Sequence, residues 1–322
     1  MRKIKSVLLP LLLVLIIHPN AHAKLPKSIQ NLDEAIEFMP EINRTSEIAP
    51  ACQSAAPAFI NDAEGPIQNA PSYIRQSTVA LSTVIRSDSG DVMVLGQCTG
   101  VITGYSTIVT AGHCCTDVAR VGYASMMVRF PLAADGVVDG LKESSSMMVS
   151  ADNCTIPDPE KDLCVIHTPK KVPAGFKPVA IAQPKSYFPK DLKITVAGFG
   201  ITSSADLTDR EKKDSANHPQ LRYGYSNVGD NSKPDQVDKQ VQTASGESYR
   251  GELIFGDSGI KKLFTKVTEP CHGDSGGPVF YEGRNGPELL AVVSMGEKCD
   301  GYFSWQFYGT DLRRVSQKDL TR

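Results

Sequence analysis

Three short stretches of the 322-residue chain carry side chains able to act together on a carbonyl group. The first is Cys271-His272-Gly273-Asp274-Ser275-Gly276-Gly277-Pro278, followed by the apolar Val279-Phe280. A serine can act as a nucleophile only if its Oγ is exposed on a tight turn. Backbone N–H groups must also stand nearby to hold the oxyanion, and glycines permit both. The second stretch is Thr110-Ala111-Gly112-His113-Cys114, after the strand-like Ser106–Val109, and its imidazole is the candidate base. The third is Lys161-Asp162-Leu163-Cys164-Val165-Ile166, where a carboxylate opens an apolar run. A carboxylate buried at such a place orients and stabilises a histidine.

Other residues of the right types read as bland. Gly256-Asp257-Ser258-Gly259 repeats part of the serine motif but lacks the following Gly-Pro and the flanking cysteine, so Ser258 reads as a loop residue. Asp117 lies only four residues beyond His113, and Asp152 and Asp158 open no apolar run, which leaves Asp162 favoured. His167 and His218 read as structural or surface residues. His272, three before Ser275, is too local to serve as its base and fits the rim of a cleft. Gly273 to Gly277 also satisfies G-x-S-x-G, the nucleophile elbow of α/β-hydrolases. That fold needs the order Ser, Asp, His, and no histidine follows Ser275, so the lipase/esterase reading is excluded.

The elements that must position these residues are short strands. Thr78–Val84, Val92–Leu95, Ser106–Thr110, Met126–Phe130, Leu163–His167, Leu192–Ala197, Pro278–Tyr281 and Leu289–Ser294 are β-rich runs separated by Gly, Pro and polar clusters. Many short strands without alternating helices predict an all-β sandwich or barrel. Residues 202–250 are polar and charged and are expected to include long surface loops, and Asp311–Leu320 predicts one terminal helix capped by Asp311 or Thr310. Basic side chains number 34 against 36 acidic, a net charge of −2 that lacks the basic excess of a nucleic-acid binder. The 41% hydrophobic and 22% charged composition excludes collagenous, coiled-coil and wholly disordered chains.

The first 23 residues read as a secretory signal peptide. Arg2, Lys3 and Lys5 precede the apolar run Val7–Ile17, and Ala21-His22-Ala23 offers a small-x-small cleavage site. The run is shorter than the roughly 20 residues a spanning helix needs. Residues 24–58 read as a leader, with Ser28 capping a short helix through Phe38 and a small-residue linker at Ala55-Ala56-Pro57-Ala58. The eight cysteines, Cys52, Cys98, Cys114, Cys115, Cys154, Cys164, Cys271 and Cys299, all lie in the exported part. An even count in an oxidising compartment favours disulfides, and without CxxC or HExxH a metal site has no support.

The three motifs, in the order His, Asp, Ser, resemble those of the trypsin/chymotrypsin-like serine endopeptidases. Gly273 to Pro278 matches that family's GDSGGP, and Thr110 to Cys114 matches its TAAHC with Gly112 for the second alanine. Gln97-Cys98-Thr99-Gly100-Val101-Ile102 is similar to its half-cystine strand. Val196-Ala197-Gly198-Phe199-Gly200 is similar to its Gly-Trp-Gly segment, and Val292-Val293-Ser294-Met295-Gly296 to its substrate-pairing strand. The resemblance covers roughly residues 60–317. It implies two six-stranded antiparallel β-barrels of the chymotrypsin type with a short C-terminal helix, filling a protease domain over 59–322.

The resemblance also implies roles. Ser275 is then the nucleophile, His113 the general base and acid, and Asp162 its orienter, with the N–H groups of Gly273 and Ser275 as oxyanion hole. It implies Cys98–Cys114 and Cys271–Cys299 disulfides. Cys52, Cys115, Cys154 and Cys164 remain, with three connectivities open. Asp274 is the expected partner of a new chain terminus released by an activating protease. The usual Ile-Val-Gly-Gly start after a basic residue is missing, so the nearest candidate is cleavage near Ala58, freeing Phe59 or Ile60. Glu269 falls at the base of the primary specificity pocket, where a carboxylate favours a basic P1 side chain. Trp305-Gln306-Phe307 narrows the opposite wall, which keeps a small apolar P1 open. Ser294, Gly296 and Gln306 are the other expected substrate contacts. The expectation is thus a secreted or periplasmic endopeptidase made as a zymogen. It uses no cofactor or metal and binds no nucleic acid, and no membrane once the signal is removed. It acts as a monomer on polypeptides. The alternatives are a catalytically silent relative that binds through the same cleft and a partner-activated protease.

Overall fold

The computed structural model describes residues 70–86, 92–120, 124–130, 145–183, 192–200, 221–228, 239–242, 248–256, 270–296 and 307–321. The expected signal and leader segments, the cleavage site near Ala58, Ser258, His218, Glu269, Cys299 and Gln306 lie outside them.

Two antiparallel sheets account for most of the described chain. A short helix α1 (Ser72–Ser77) leads into β1 (Thr78–Arg86), β2 (Val92–Gly104) and β3 (Thr107–Thr110), and then helix α2 (Gly112–Arg120). Strands β4 (Ser125–Phe130), β5 (Ser145–Val149), β6 (Cys154–Thr155) and β7 (Cys164–His167) complete a seven-stranded sheet in the order β5-β4-β1-β2-β3-β7-β6. The second sheet holds β8 (Ala180–Ile181), β9 (Lys193–Gly198), β10 (Arg222–Asn227), β11 (Lys239–Gln242), β12 (Ser248–Phe255), β13 (Pro278–Gly283), β14 (Gly286–Gly296) and β15 (Phe307–Asp311). Its order is β10-β9-β13-β14-β15-β12-β11, with the two-residue β8 added in parallel to β14. Each sheet curls into a half-barrel, so the expected pair of antiparallel barrels is what the chain forms. The sheets hold seven and eight strands where six and six were expected, and the two-residue β6 and β8 account for two of the three extra strands.

The strands near the middle are buried on both faces because the sheets also pack on each other. In β1, Val79 and Leu81 point into the first half-barrel with Ile102, Ile108, Val128 and Phe130. Ala80, one residue out of phase, joins Val101, Val109, Leu163, Val165, Ala197, Phe199, Phe280 and Val292 in a second cluster at the seam. The second half-barrel encloses Ile194, Val196, Leu253, Phe255, Val279, Leu290 and Phe307. Successive strand side chains face opposite ways, so one apolar run feeds a barrel core and the seam together. This is why the strands read as continuous apolar runs rather than alternating ones.

The chain's end differs from expectation. Asp311 is the last residue of β15, paired with Ala291, and does not start a ten-residue helix. Its carboxylate accepts the Arg313 N–H at 3.1 Å and pairs with the Arg313 guanidinium at 2.6 Å, which caps a 3₁₀ turn over Leu312–Arg314. Only Gln317–Thr321 then forms helix α3. The strand pairing and the Asp311 cap together outcompete one continuous helix.

Cys98 is bonded to Cys114, and Cys115 to Cys164, a bond found in one of the three open connectivities, though that connectivity's other bond is not made because Cys154 is free. Cys271 is also disulfide-bonded, and Cys154 carries a free thiol that burial pushes up to about 11. The Cys115–Cys164 bond has a direct bearing on chemistry. Cys115 lies two residues after His113 and Cys164 two after Asp162, so the bond fastens α2 to β7 beside both. Closing a loop of 49 residues should contribute about 2–5 kcal/mol. Urea unfolding should find the Cys115→Ala/Cys154→Ala/Cys164→Ala variant less stable by that amount than Cys154→Ala alone. Equal stabilities would mean the bond does not form in solution.

Candidate active site

Asp162 immediately precedes the buried Leu163 and β7, and its side chain is 1% exposed. A buried carboxylate needs several donors. The backbone N–H of His113 donates to Oδ1 at 2.9 Å, and Ser294 Oγ donates to Oδ2 at 2.7 Å. His113 Nδ1 lies 2.9 Å from Oδ2 and 3.2 Å from Oδ1. Thr310 Oγ1 fixes the main chain by donating to the Asp162 carbonyl at 2.8 Å. Burial pushes the Asp162 carboxyl up. The charge on His113 and hydrogen bonds from its ring, from Ser294 and from the His113 N–H oppose this and hold it below the usual carboxylate range. An ionised carboxylate only accepts hydrogen bonds, so Nδ1 carries the ring proton of neutral His113. Its Nε2 then carries the lone pair that can take one. The ring is 27% exposed, open enough to meet a substrate.

Ser275 sits on a turn between Cys271 and β13. Gly273 and Gly276 hold φ of 93° and 80°, the left-handed region that favours glycine. Gly276 has a second constraint, since a Cβ there would fall 2.0 Å from Thr110 Oγ1 and 2.3 Å from the Thr99 carbonyl. The turn is closed by Asp274 N–H to the Cys271 carbonyl at 3.0 Å and Gly277 N–H to the Asp274 carbonyl at 2.8 Å. Cys114 Sγ lies 3.9 Å from the Ser275 carbonyl. That sulfur is spent in a disulfide and has no proton to give, so this is a contact. It sets the residue after His113 against the backbone of Ser275.

Asp274 points away from Ser275 into the protein and is fully buried. Gly200 N–H donates to its Oδ1 at 2.7 Å and Cys271 N–H to its Oδ2 at 2.9 Å. A Cβ on Gly200 would fall 2.3 Å from Oδ2, so the carboxyl fits only against a bare Cα. Among the described residues no cation lies within ion-pair distance of it. Arg222 is held nearby, its Nη1 donating to the Gly200 carbonyl at 2.9 Å. Burial pushes the Asp274 carboxyl up to about 7, against the two backbone N–H bonds and the charge of Arg222.

The remaining expected residues fall as follows. The Ser294 hydroxyl is committed to Asp162, which leaves its main chain for any substrate contact. Gly296 ends β14 opposite Phe307, and a Cβ on it would come 3.0 Å from the Pro270 carbonyl. It therefore borders the segment that follows Glu269. His272 is exposed beside the turn, and His167 pairs in β7 with Thr107. Sequence reasoning gave no role to the side chains of Gln97, Thr99, Thr110 and Arg222, although Thr110 opens the histidine motif and Gln97 and Thr99 flank Cys98. Among the described residues two groups have metal-ligand proximity, Cys98/His113/Cys114 and Cys115/Cys154/Cys164, but in each a disulfide consumes two of the sulfurs. No helix among the described residues is long and apolar enough to cross a membrane.

The family model described as Trypsin matches residues 75–309. The chain is 27% identical over 202 residues to Trypsin-2 of Salmo salar, covering 63% of this chain and 74% of that one. Trypsin-1 of the same organism is also 27% identical over 202 residues, with 63% and 71% covered. A CLIP domain-containing serine protease B15 of Anopheles gambiae is 24% identical over 218 residues, with 64% and 55% covered.

The two buried carboxyls have opposite linkage to pH. Asp162, held low, adds stability above its unfolded value of about 4 that is lost as pH falls through its folded value. Asp274, held high, adds stability below about 4 that is lost as pH rises through about 7. In the full chain, Asp274→Asn should therefore gain on the wild type as pH rises from about 4 to about 8, measured by urea unfolding at each pH. A constant difference would show that Asp274 does not titrate in that window.

Proposed function

The chain belongs to the trypsin family, and on that premise we propose that it is an exported serine endopeptidase working through Ser275, His113 and Asp162. The observation that carries the proposal is the buried Asp162 carboxylate holding both the ring and the backbone N–H of His113, with the adjoining Cys114 against Ser275. Family membership implies a polypeptide substrate.

In this reading Ser275 Oγ attacks the scissile carbonyl while His113 Nε2 takes its proton, and Asp162 stabilises the imidazolium that forms. The tetrahedral oxyanion is received by the N–H groups of Gly273 and Ser275, each worth about 10²–10³ in rate at such a site. His113 then gives the proton to the leaving amine. Water, activated by the same imidazole, hydrolyses the acyl-enzyme and returns Ser275 to its alcohol.

The finer assignments belong to the same proposal. Residues 1–23 direct export, 24–58 form a leader, and 59–322 form the protease. Cleavage near Ala58 frees an α-ammonium at Phe59 or Ile60 that pairs with Asp274. A fully buried carboxyl pushed up to about 7, with no paired cation among the described residues, supports this, because an arriving ammonium lets it ionise. Glu269 at the base of the pocket gives a preference for Lys or Arg at P1.

A fluorophosphonate probe tests the proposal directly. The secreted protein should be labelled on Ser275, and the labelled species should begin at Phe59 or Ile60. Ser275→Ala should take no label, and Asp162→Asn should slow peptide hydrolysis by about 10⁴. A folded, leader-free wild type that takes no label would contradict the enzyme reading. A labelled species still carrying residues 24–58 would contradict the activation step alone.

A further inference from the structure

We infer that Thr99 is a positioning residue for the oxyanion turn, acting through a side-chain hydroxyl that bridges the two half-barrels. The inference rests on the protease reading above.

Thr99 lies on β2, next to the half-cystine Cys98, and is fully buried. Four hydrogen bonds leave it for parts of the chain that must come together. Its N–H donates to the Ser275 carbonyl at 2.8 Å. Its carbonyl accepts Thr110 Oγ1 at 2.7 Å, at the end of the strand that leads to His113. Its hydroxyl donates to the Gly273 carbonyl at 2.8 Å and accepts the Phe199 N–H at 3.0 Å. Phe199 adjoins Gly200, whose own N–H holds Asp274, and the Phe199 carbonyl is held in turn by Gln97 Nε2 at 3.1 Å.

The hydroxyl therefore works in both senses, giving its proton to one buried carbonyl and accepting from one buried N–H. Valine matches its shape and can do neither, so both backbone groups would be stranded away from water. Serine keeps both functions. Thr99 grips the turn by its carbonyls at Gly273 and Ser275, one on each side of Asp274. The peptide that presents the Ser275 N–H lies between these two anchors. Its other anchor, the Thr110 bond, packs against Gly276, so one residue sets both the turn's shape and its distance from the His113 segment. Such preorganisation matters because hole donors must already stand where the oxyanion forms.

The test compares Thr99→Val and Thr99→Ser with the wild type on the best-cleaved library peptide. Thr99→Val should lower kcat about 10- to 100-fold with KM within about twofold, below the loss of a whole donor. Thr99→Ser should stay within about threefold of the wild type. Affinity for the corresponding peptide aldehyde, whose hemiacetal oxygen occupies the hole, should fall in step with kcat/KM for Thr99→Val. Affinity for the peptide alcohol should not. If the valine variant does not accumulate, Thr99→Ala removes the hydroxyl without branching strain and should show the same split. An active wild type with unchanged kcat in a folded hydroxyl-free variant overturns the inference. So does a serine variant as impaired as the valine one, which would assign the effect to the methyl group. A wild type that cleaves no peptide and takes no fluorophosphonate overturns the protease reading itself, a separate and visible outcome.

Discussion

An isolated carboxylate at the depth of Asp162 would carry a desolvation cost of several kcal/mol, and the surroundings of that carboxylate explain much of what the chain builds. His113 supplies two donors and Ser294 a third, and Thr310 pins the backbone behind them. These partners come from α2, β14 and β15, so the carboxylate can be satisfied only if both sheets close on it. The same bonds decide which nitrogen of His113 carries a proton. The bonds that solvate the carboxylate therefore also set the state of the ring proposed as the base.

The seam between the sheets is the second constraint. It is apolar over Val101, Val109, Val165, Ala197, Phe280 and Val292, and it is crossed by a few polar bonds that cluster at Thr99. The apolar part brings the half-barrels together without regard to register. The directional bonds then fix where the Ser275 turn lies relative to the His113 segment. Two disulfides reinforce the His113 side, from Cys114 to β2 and from Cys115 to β7. Asp274 is the exception, a buried carboxyl with backbone donors but no paired cation among the described residues.

The residues proposed to do chemistry stand out in the sequence because their surroundings are encoded locally. Glycines mark the Ser275 turn, and an apolar run marks the depth of Asp162. The all-β class was legible from short apolar runs between turn residues, and the pair of barrels from the resemblance. What could not be read were relations between distant strands. The Cys115–Cys164 bond belonged to one of three open connectivities until α2 was seen against β7. Thr99 resembles any strand threonine until its hydroxyl meets Gly273, 174 residues away. Gly200 needs no side chain because Asp274 fills the space, a fact no local pattern carries. The Asp311 segment misled because a carboxylate before Leu312 caps a 3₁₀ turn as readily as a helix.

The central claim is that the buried Asp162 carboxylate fixes the proton on His113 Nδ1 and leaves Nε2 to act. Nitrogen-15 resonances of the His113 ring, recorded in the folded protein above its imidazolium titration, report this directly. The account predicts a protonated Nδ1 coupled to a downfield proton and an unprotonated Nε2, with the downfield proton lost in Asp162→Asn. A ring protonated at Nε2, or averaging freely between both tautomers with Asp162 in place, would contradict it.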